Sequence, residues 1–371
     1  MVVGDAHLAK ANATALNSEL RAPARTEPHA ATLVSWPTHR PVWGSQRHVA
    51  LEEYEGLIHS MARYEPVVVV TDPSTAAEAG ERVGAVATLL ELPIDDAWVR
   101  DNGPIFLVGD DGRVGLTQFG FNGWGEKYQP FDKDADVPRR LAEALGLERF
   151  VSRLVMEGGG FSVDGEGTLI TTESVVLNPN RNPGWTREEC EAALCEATGC
   201  TRIIWLAHGL VEDRDTDGHS DNVVQFVAPG RVVAQMAPDR SNPNWEPLSE
   251  NLARLRQAVD ARGRRLEVVE VPWLPYTESI EGHRYAIPYV NFYPVNGAVI
   301  APATGSSFEA AAYELLGELF PGREVVGVAS TALAYGGGGV GCVTQQVPDA
   351  VSLAPLTSTS SIENDIKGAH D

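Results

Sequence analysis

The stretch "IFLVGDDGRVGLTQF", Ile105 to Phe119, reads as two short apolar strands turned at Asp-Asp-Gly, and that reading decides the fold. An Asp-Gly turn of this kind implies antiparallel pairing, which a doubly wound parallel sheet does not supply. Working outward, the loop "DDAWVRDNGP" precedes the hairpin, the strand "LLELPI" precedes the loop, and helical spacing runs from about 75 to 88 before that.

The same order of helix, strand, glycine- or acid-rich loop and hairpin then recurs. "VPRRLAEALG" and "FVSRLVM" lead through "EGGG" to "FSVDGEGTLITTESVVL". "TREECEAALCEATG" and "RIIWLA" lead through "GLVEDRDTDGHSDN" to "VVQFVAPGRVVAQM". A fourth copy joins "EPLSENLARLRQAVDAR", "LEVVEV", "PWLPYTESIEGHR" and "YVNFYPVNGAVIAP", and a fifth joins "SFEAAAYELLGELF", "REVVGVA", a glycine loop and "GCVTQQV". With "ATLVSW" free to close the ring, the pattern predicts an α/β fold, a five-bladed propeller of repeated units. Asp101, Glu157, His219 and Cys342 fall in the loop after the inner strand of four different copies, so the four should meet.

The 371 residues carry 29 Lys+Arg against 51 Asp+Glu, a net charge of −22. No basic stripe is present, so nucleic acid and anionic membrane are poor partners, and a cationic small molecule fits better. No apolar run approaches the ~18 residues of a membrane span, and no secretory leader is visible. Four cysteines without a C-x-x-C pair suggest neither a disulfide framework nor a zinc site, and a cytoplasmic location follows. Cys190 and Cys195, on the third helix, read as structural thiols. The expected organisation is an N-terminal extension at 1–25, one catalytic domain at 26–350 and a polar tail at 351–371.

A thiol, an imidazole and several carboxylates in one pocket make a nucleophile, a proton carrier and cation holders. Carboxylates raise the pKa of a neighbouring cysteine, so such a site is sensible when a bound cation offsets them. A planar, forked guanidinium matches carboxylates bidentately. The glycine run before Cys342 lacks the Lys-Ser/Thr ending of a phosphate loop. Three ligands from one loop, His219, Asp221 and Asp217, make a weak metal site, and no metal is expected.

At this point the sequence resembles the agmatine deiminases, relatives of the bacterial peptidylarginine deiminases in the guanidine-modifying (pentein) superfamily, built from five ββαβ blades with pseudo-fivefold symmetry. The resemblance runs from about Glu27 to Pro348 and rests on "EPHAATLVSWP", "WVRDNGP", "EGGG", "VDGEGTLITTESVVLNPNRNP", "EDRDTDGHSDN", "YVNFYPVNGAVIAP" and "GGGGVGCVTQQVP". It implies that Cys342 attacks the guanidinium carbon, that His219 protonates departing ammonia and then activates water, and that Asp101 and Asp221 grip the guanidinium. Glu157 would stand beside His219 or the substrate. Trp98 would line the pocket, with the backbone of Gly338 and Gly339 close to the substrate. No cofactor is implied, the product from agmatine would be N-carbamoylputrescine, and a homo-oligomer of two or more chains is expected.

Two positions depart from that family, which usually has a histidine directly before the cysteine and another in the strand after E-G-G. This chain has Gly341 and Ser162 there. If the two adjoin in space, the pocket is wider and another guanidine compound becomes a candidate substrate. An amidinotransferase and a guanidinium-binding protein without turnover are the further alternatives. Trp124, Tyr335 and the "WLPYTE" loop are candidates for the far end of the substrate.

Overall fold

In the computed structural model residues 14–356 are described, and their apolar runs sort into five separate small sheets. The first part of the chain lays down β1 (His29–Ser35), β2 (Val67–Thr71) and β3 (Thr88–Glu91) side by side in parallel. Four three-stranded sheets follow, each an antiparallel hairpin joined by a parallel third strand. They are β4 (Ile105–Val108), β5 (Val114–Gly120) and β6 (Glu148–Val155), then β7 (Phe161–Val163), β8 (Thr168–Thr172) and β9 (Arg202–Leu206). Next come β10 (Val224–Ala228), β11 (Arg231–Gln235) and β12 (Glu267–Val271), then β13 (Tyr293–Val295), β14 (Ala298–Ala303) and β15 (Glu324–Ala329). Finally β16 (Thr344–Pro348) returns to pair antiparallel with β1, with Val34 opposite Thr344.

The hairpin reading of Ile105 to Phe119 holds, with Ile105 opposite Thr117 and a turn at Gly112, φ 81°. A helix covers each crossover to the third strand, and its periodicity shows why. In Val137–Leu145 the residues Val137, Leu141, Ala142 and Leu145 face inward. In Arg187–Thr198 the buried residues are Cys190, Leu194, Ala197 and Thr198. Thr186 and Glu189 form a reciprocal capping box at its start, and Gly199 closes it at φ 72°. Cys190 is wholly buried in the core with Leu194, as a structural thiol would be.

Two expectations are corrected. The first unit does not begin at 75: helix Arg47–Met61 and the fully buried β2 come first, and the segment read as the unit's strand is β3, an extra edge strand beyond β2. The strand before each site loop is also not the inner one. β3, β6, β9 and β15 are half-exposed edges, whereas β7 and β16, at the opposite edges of their sheets, are buried throughout. Those inner strands meet their counterparts from other sheets, β16 against β4 and β7 against β10.

Of the expected extension, residues 14–25 pack on the domain: Leu20, Ala22 and Ala24 are buried, and Arg21 bridges to Val108. Residues 1–13 of that extension and 357–371 of the expected tail lie outside the described residues. Among the described residues no helix is long and apolar enough to cross a membrane.

Candidate active site

The loops that leave β3, β6, β9 and β15 converge, and Gly159 marks where. A methyl group built on Gly159 would lie 2.6 Å from His219 Nδ1, 2.7 Å from Asp101 Oδ1 and 3.1 Å from Asp221 Oδ2. The middle glycine of "EGGG" is therefore required by three side chains aimed at one point. The Gly159 N–H also donates to Asp101 Oδ1 at 3.0 Å.

His219 is fully buried, with its N–H donating to Asp213 Oδ2 and Thr216 Oγ1, both at 3.1 Å. The acidic loop thus folds on itself to hold the imidazole. Nε2 meets Glu157 Oε2 at 3.3 Å, while Nδ1 stands 3.7 Å from Asp101 Oδ1 and has no hydrogen-bond partner. Burial alone would lower the His219 pKa, but Asp101, Glu157 and Asp221 outweigh it and hold the ring up to about 9.

Glu157 is spoken for. Arg181 Nε reaches both of its carboxylate oxygens at 3.0 and 2.9 Å, and Arg181 in turn holds Asp217 at 2.6 Å. Despite full burial, Arg181 and His219 keep Glu157 below the usual carboxylate range. Glu157 therefore stands beside His219, held there by Arg181. Asp217 is tied to Arg181 and Lys127, away from the metal role weighed for it.

Among the described residues neither of the other two carboxylates has an arginine or lysine in ion-pair contact, and Asp101 has only His219 Nδ1 at 3.7 Å. Burial, against the pull of His219, pushes Asp101 up to about 6, with Asp221 and Glu157 adding to the rise. Trp124 Nε1 donates to Asp101 Oδ2 at 3.0 Å. Gly123, Trp124, Gly125 and Glu126 all have positive φ, 63°, 57°, 84° and 64°, one short left-handed turn that aims this indole. Burial likewise raises Asp221, whose Oδ1 has no partner.

Cys342 faces this corner: Sγ lies 3.7 Å from Asp221 Oδ2, and Asn291 Nδ2 stands 3.5 Å from Sγ. Burial first, then Asp221 and Asp101, push the thiol well above its ordinary range. The glycines before it are shaped by packing more than by turns. A methyl on Gly338 would lie 2.4 Å from the Trp98 ring, and one on Gly339 would lie 2.6 Å from Asn291 Oδ1. Trp98 stacks on Trp43 with ring centroids 5.4 Å apart.

A narrow cavity of ≈ 20 Å³, lined by Asp96, Trp98, Asp101, Trp124 and Cys342 among others, opens beside an outer chamber of ≈ 620 Å³. Gly338 lines the outer chamber, but Gly339 lies outside the lining of both. Tyr335 lines the chamber with His283, Arg284 and Tyr285, whereas the "WLPYTE" loop backs it through Tyr276, whose hydroxyl donates to Glu212 at 2.8 Å. Ser162 and Gly341 line neither space. Ser162 Oγ accepts from the Phe226 N–H at 3.2 Å, a bond between β7 and β10, and the room at Gly341 is filled by Asn291 and Arg25. The widened pocket expected from these two positions is therefore absent.

Sequence reasoning missed Asn291, Arg181, Arg25 and Asp96. Asp96 lines the inner cavity with Oδ2 unpartnered, and burial pushes it up to about 6.

The family model for the Porphyromonas-type peptidyl-arginine deiminases matches residues 21–348. The chain belongs to that family. Among its relatives, a Streptomyces coelicolor protein named as an agmatine deiminase is 39% identical over 334 residues, covering 88% of this chain and 98% of the relative. A Legionella pneumophila protein with the same name is 36% identical over 337 residues, covering 89% and 96%. The solved structure of the Enterococcus faecalis agmatine deiminase superposes with a TM-score of 0.87 at 29% identity, covering 94% of this chain and 99% of that one. As a member of this deiminase family, the protein is a hydrolase of carbon-nitrogen bonds in amidines.

Proposed function

We propose that the protein hydrolyses the guanidinium group of agmatine, giving N-carbamoylputrescine and ammonia through a covalent amidino-thioether on Cys342. The observation that carries this reading is the pair of buried carboxylates without an arginine or lysine partner, Asp101 and Asp221, both aimed at one point beside Gly159, with Asp221 3.7 Å from Cys342 Sγ. A planar cation entering there would satisfy their free lone pairs, remove the charge that opposes the thiolate and present its carbon to sulfur. As the cation binds, the Cys342 thiol releases its proton to solvent; sulfur then bonds to that carbon, a proton from His219 goes to the leaving nitrogen, and ammonia departs. His219, now neutral, takes a proton from water as the water attacks the same carbon, and the C–S bond breaks to return the thiolate. Glu157 holds the ring and is itself held by Arg181. Trp98 and Gly338 would flank the guanidinium, and no cofactor or metal takes part.

The five sheets are read as five blades about a common axis, supported by their repeated strand pattern and the contacts between inner strands. Assembly as a homo-oligomer in the cytoplasm completes the proposal, and light scattering after gel filtration tests the first of these. The reading of function is tested by ammonia and ureido-product formation from agmatine, arginine, a peptidyl-arginine and other alkylguanidines, with Cys342→Ala as control. Turnover of agmatine above the others supports it. Silence on agmatine with turnover of a bulkier guanidine would instead fit the 620 Å³ outer chamber, and turnover only with an amine acceptor would make the enzyme an amidinotransferase.

A further inference from the structure

Arg25 is a buried cation that the reaction scheme leaves unused. It is 7% exposed, and its Nη2 donates to the Gly341 carbonyl at 2.8 Å and to Thr344 O and Oγ1 at 3.2 and 3.3 Å. Nε and Nη1 have no partner. A methyl built on Gly341 would lie 3.2 Å from Nη1 and 3.0 Å from Asn291 Oδ1, so the guanidinium fills the room that a side chain at 341 would need. That position directly precedes Cys342.

The surroundings make this charge unusual. None of the hydrogen bonds of Arg25 goes to a carboxylate. Burial pulls the Arg25 pKa below its ordinary range; through space Tyr293, Asp221, Cys342 and Asp101 favour its charge, and Arg100, itself buried with Nε unpartnered, opposes it. The Tyr293 ring lies 5.0 Å from its Cζ, and the Arg25 carbonyl meets His29 Nε2, whose other nitrogen contacts Glu65. A guanidinium buried without an ion pair is costly, and the cost is least when the thiol it faces is ionised.

We propose that Arg25 is a positioning residue for the reaction, a fixed cation behind the Gly341–Cys342 peptide that stabilises the Cys342 thiolate and occupies the space made by Gly341. The proposal rests on Cys342 being the nucleophile, and its test is built to be read without substrate.

Iodoacetamide alkylation of Cys342, followed by peptide mass mapping across pH, measures thiolate formation directly. Arg25→Met should move the midpoint upward by about one unit, and Arg25→Lys should largely restore it. In turnover, Arg25→Met should lower kcat about 10- to 100-fold without raising KM, because a cation has been removed from the neighbourhood of a cationic substrate. An unmoved alkylation midpoint in folded Arg25→Met, or Arg25→Lys as impaired as Arg25→Met, overturns the proposal. If Arg25→Met does not fold, Gly341→Ala, which crowds Nη1, must shift the midpoint in the same direction or the proposal falls. A shifted midpoint in a protein that turns over no guanidine would sink the deiminase reading and leave the role of Arg25 standing.

Discussion

Two carboxylate corners of one pocket are treated in opposite ways. Glu157 has an arginine Nε–H shared between its two oxygens and an imidazole at 3.3 Å, and sits below its ordinary pKa, while Asp101 and Asp221, also buried, have no arginine on them and sit above theirs. On the proposed function the difference separates scaffold from chemistry: the arginine-paired corner fixes the imidazole, and the corner without an arginine is held at elevated energy for a positive ligand to relieve.

The largest expected effect tests what the unpaired corner faces. Cys342→Ala should lower turnover by at least about 10⁴-fold while circular dichroism and the melting curve stay close to the parent. Retained activity would remove the covalent route. The paired corner is broken by Arg181→Met, which leaves the buried Glu157 carboxylate with only the His219 imidazolium against it. That variant should lose about 3–5 kcal/mol in a urea titration, and a loss under 1 kcal/mol would mean that the corner does not depend on its arginine.

Asp101→Asn should do the reverse to stability. The folded-state pKa of Asp101, about 6, lies above the ordinary 3.8. Its protonated form thus favours the fold, and a destabilising cost accrues as pH rises from about 4 through about 6. At pH 7 the asparagine variant should therefore melt higher than the parent, by a gain on the order of 1–3 kcal/mol, while KM for the guanidine rises about 30- to 100-fold. Weaker binding together with a lower melting temperature would contradict the two-corner picture.

The pH profile sharpens the same contrast. Binding should fail below about 6 as Asp101 is protonated, and kcat should fall above about 9 as His219 loses its proton. His219 is raised above its ordinary 6.5, so its contribution to stability is complete below about 6.5 and is lost as pH climbs through about 9. The smallest effect belongs to Ser162→Ala, which removes one hydrogen bond between β7 and β10 and should cost about 1 kcal/mol with activity unchanged.

Asp101, Glu157, His219 and Cys342 were legible in the sequence because the repeated helix, strand and loop order sets them at matching places along the chain. The first sheet blurred that order, since β3 adds a fourth strand and shifts the apparent start of the unit away from β2. Burial of an edge depends on which sheet lies against it, and hydrophobic period along one strand does not report that. Asn291 and Arg181 were quoted within motifs and still missed, because their roles arise from contacts about 50 and 24 residues away in the chain. A lone asparagine inside the apolar run "YVNFY" was the available signal, since a buried amide needs partners. Arg25, 316 residues from Gly341, left no such mark.

The pairing of β1 with β16 sets an order of delivery as well as a geometry. A growing chain acquires Asp101, Glu157, His219, Asp221 and Asn291 first, and the thiol comes only with the segment that leads into β16. A chain stopped at Val340 holds the acids and the imidazole but not the thiol proposed as nucleophile. On the proposed mechanism, reactivity is thus withheld until synthesis has nearly reached the strand that closes onto β1.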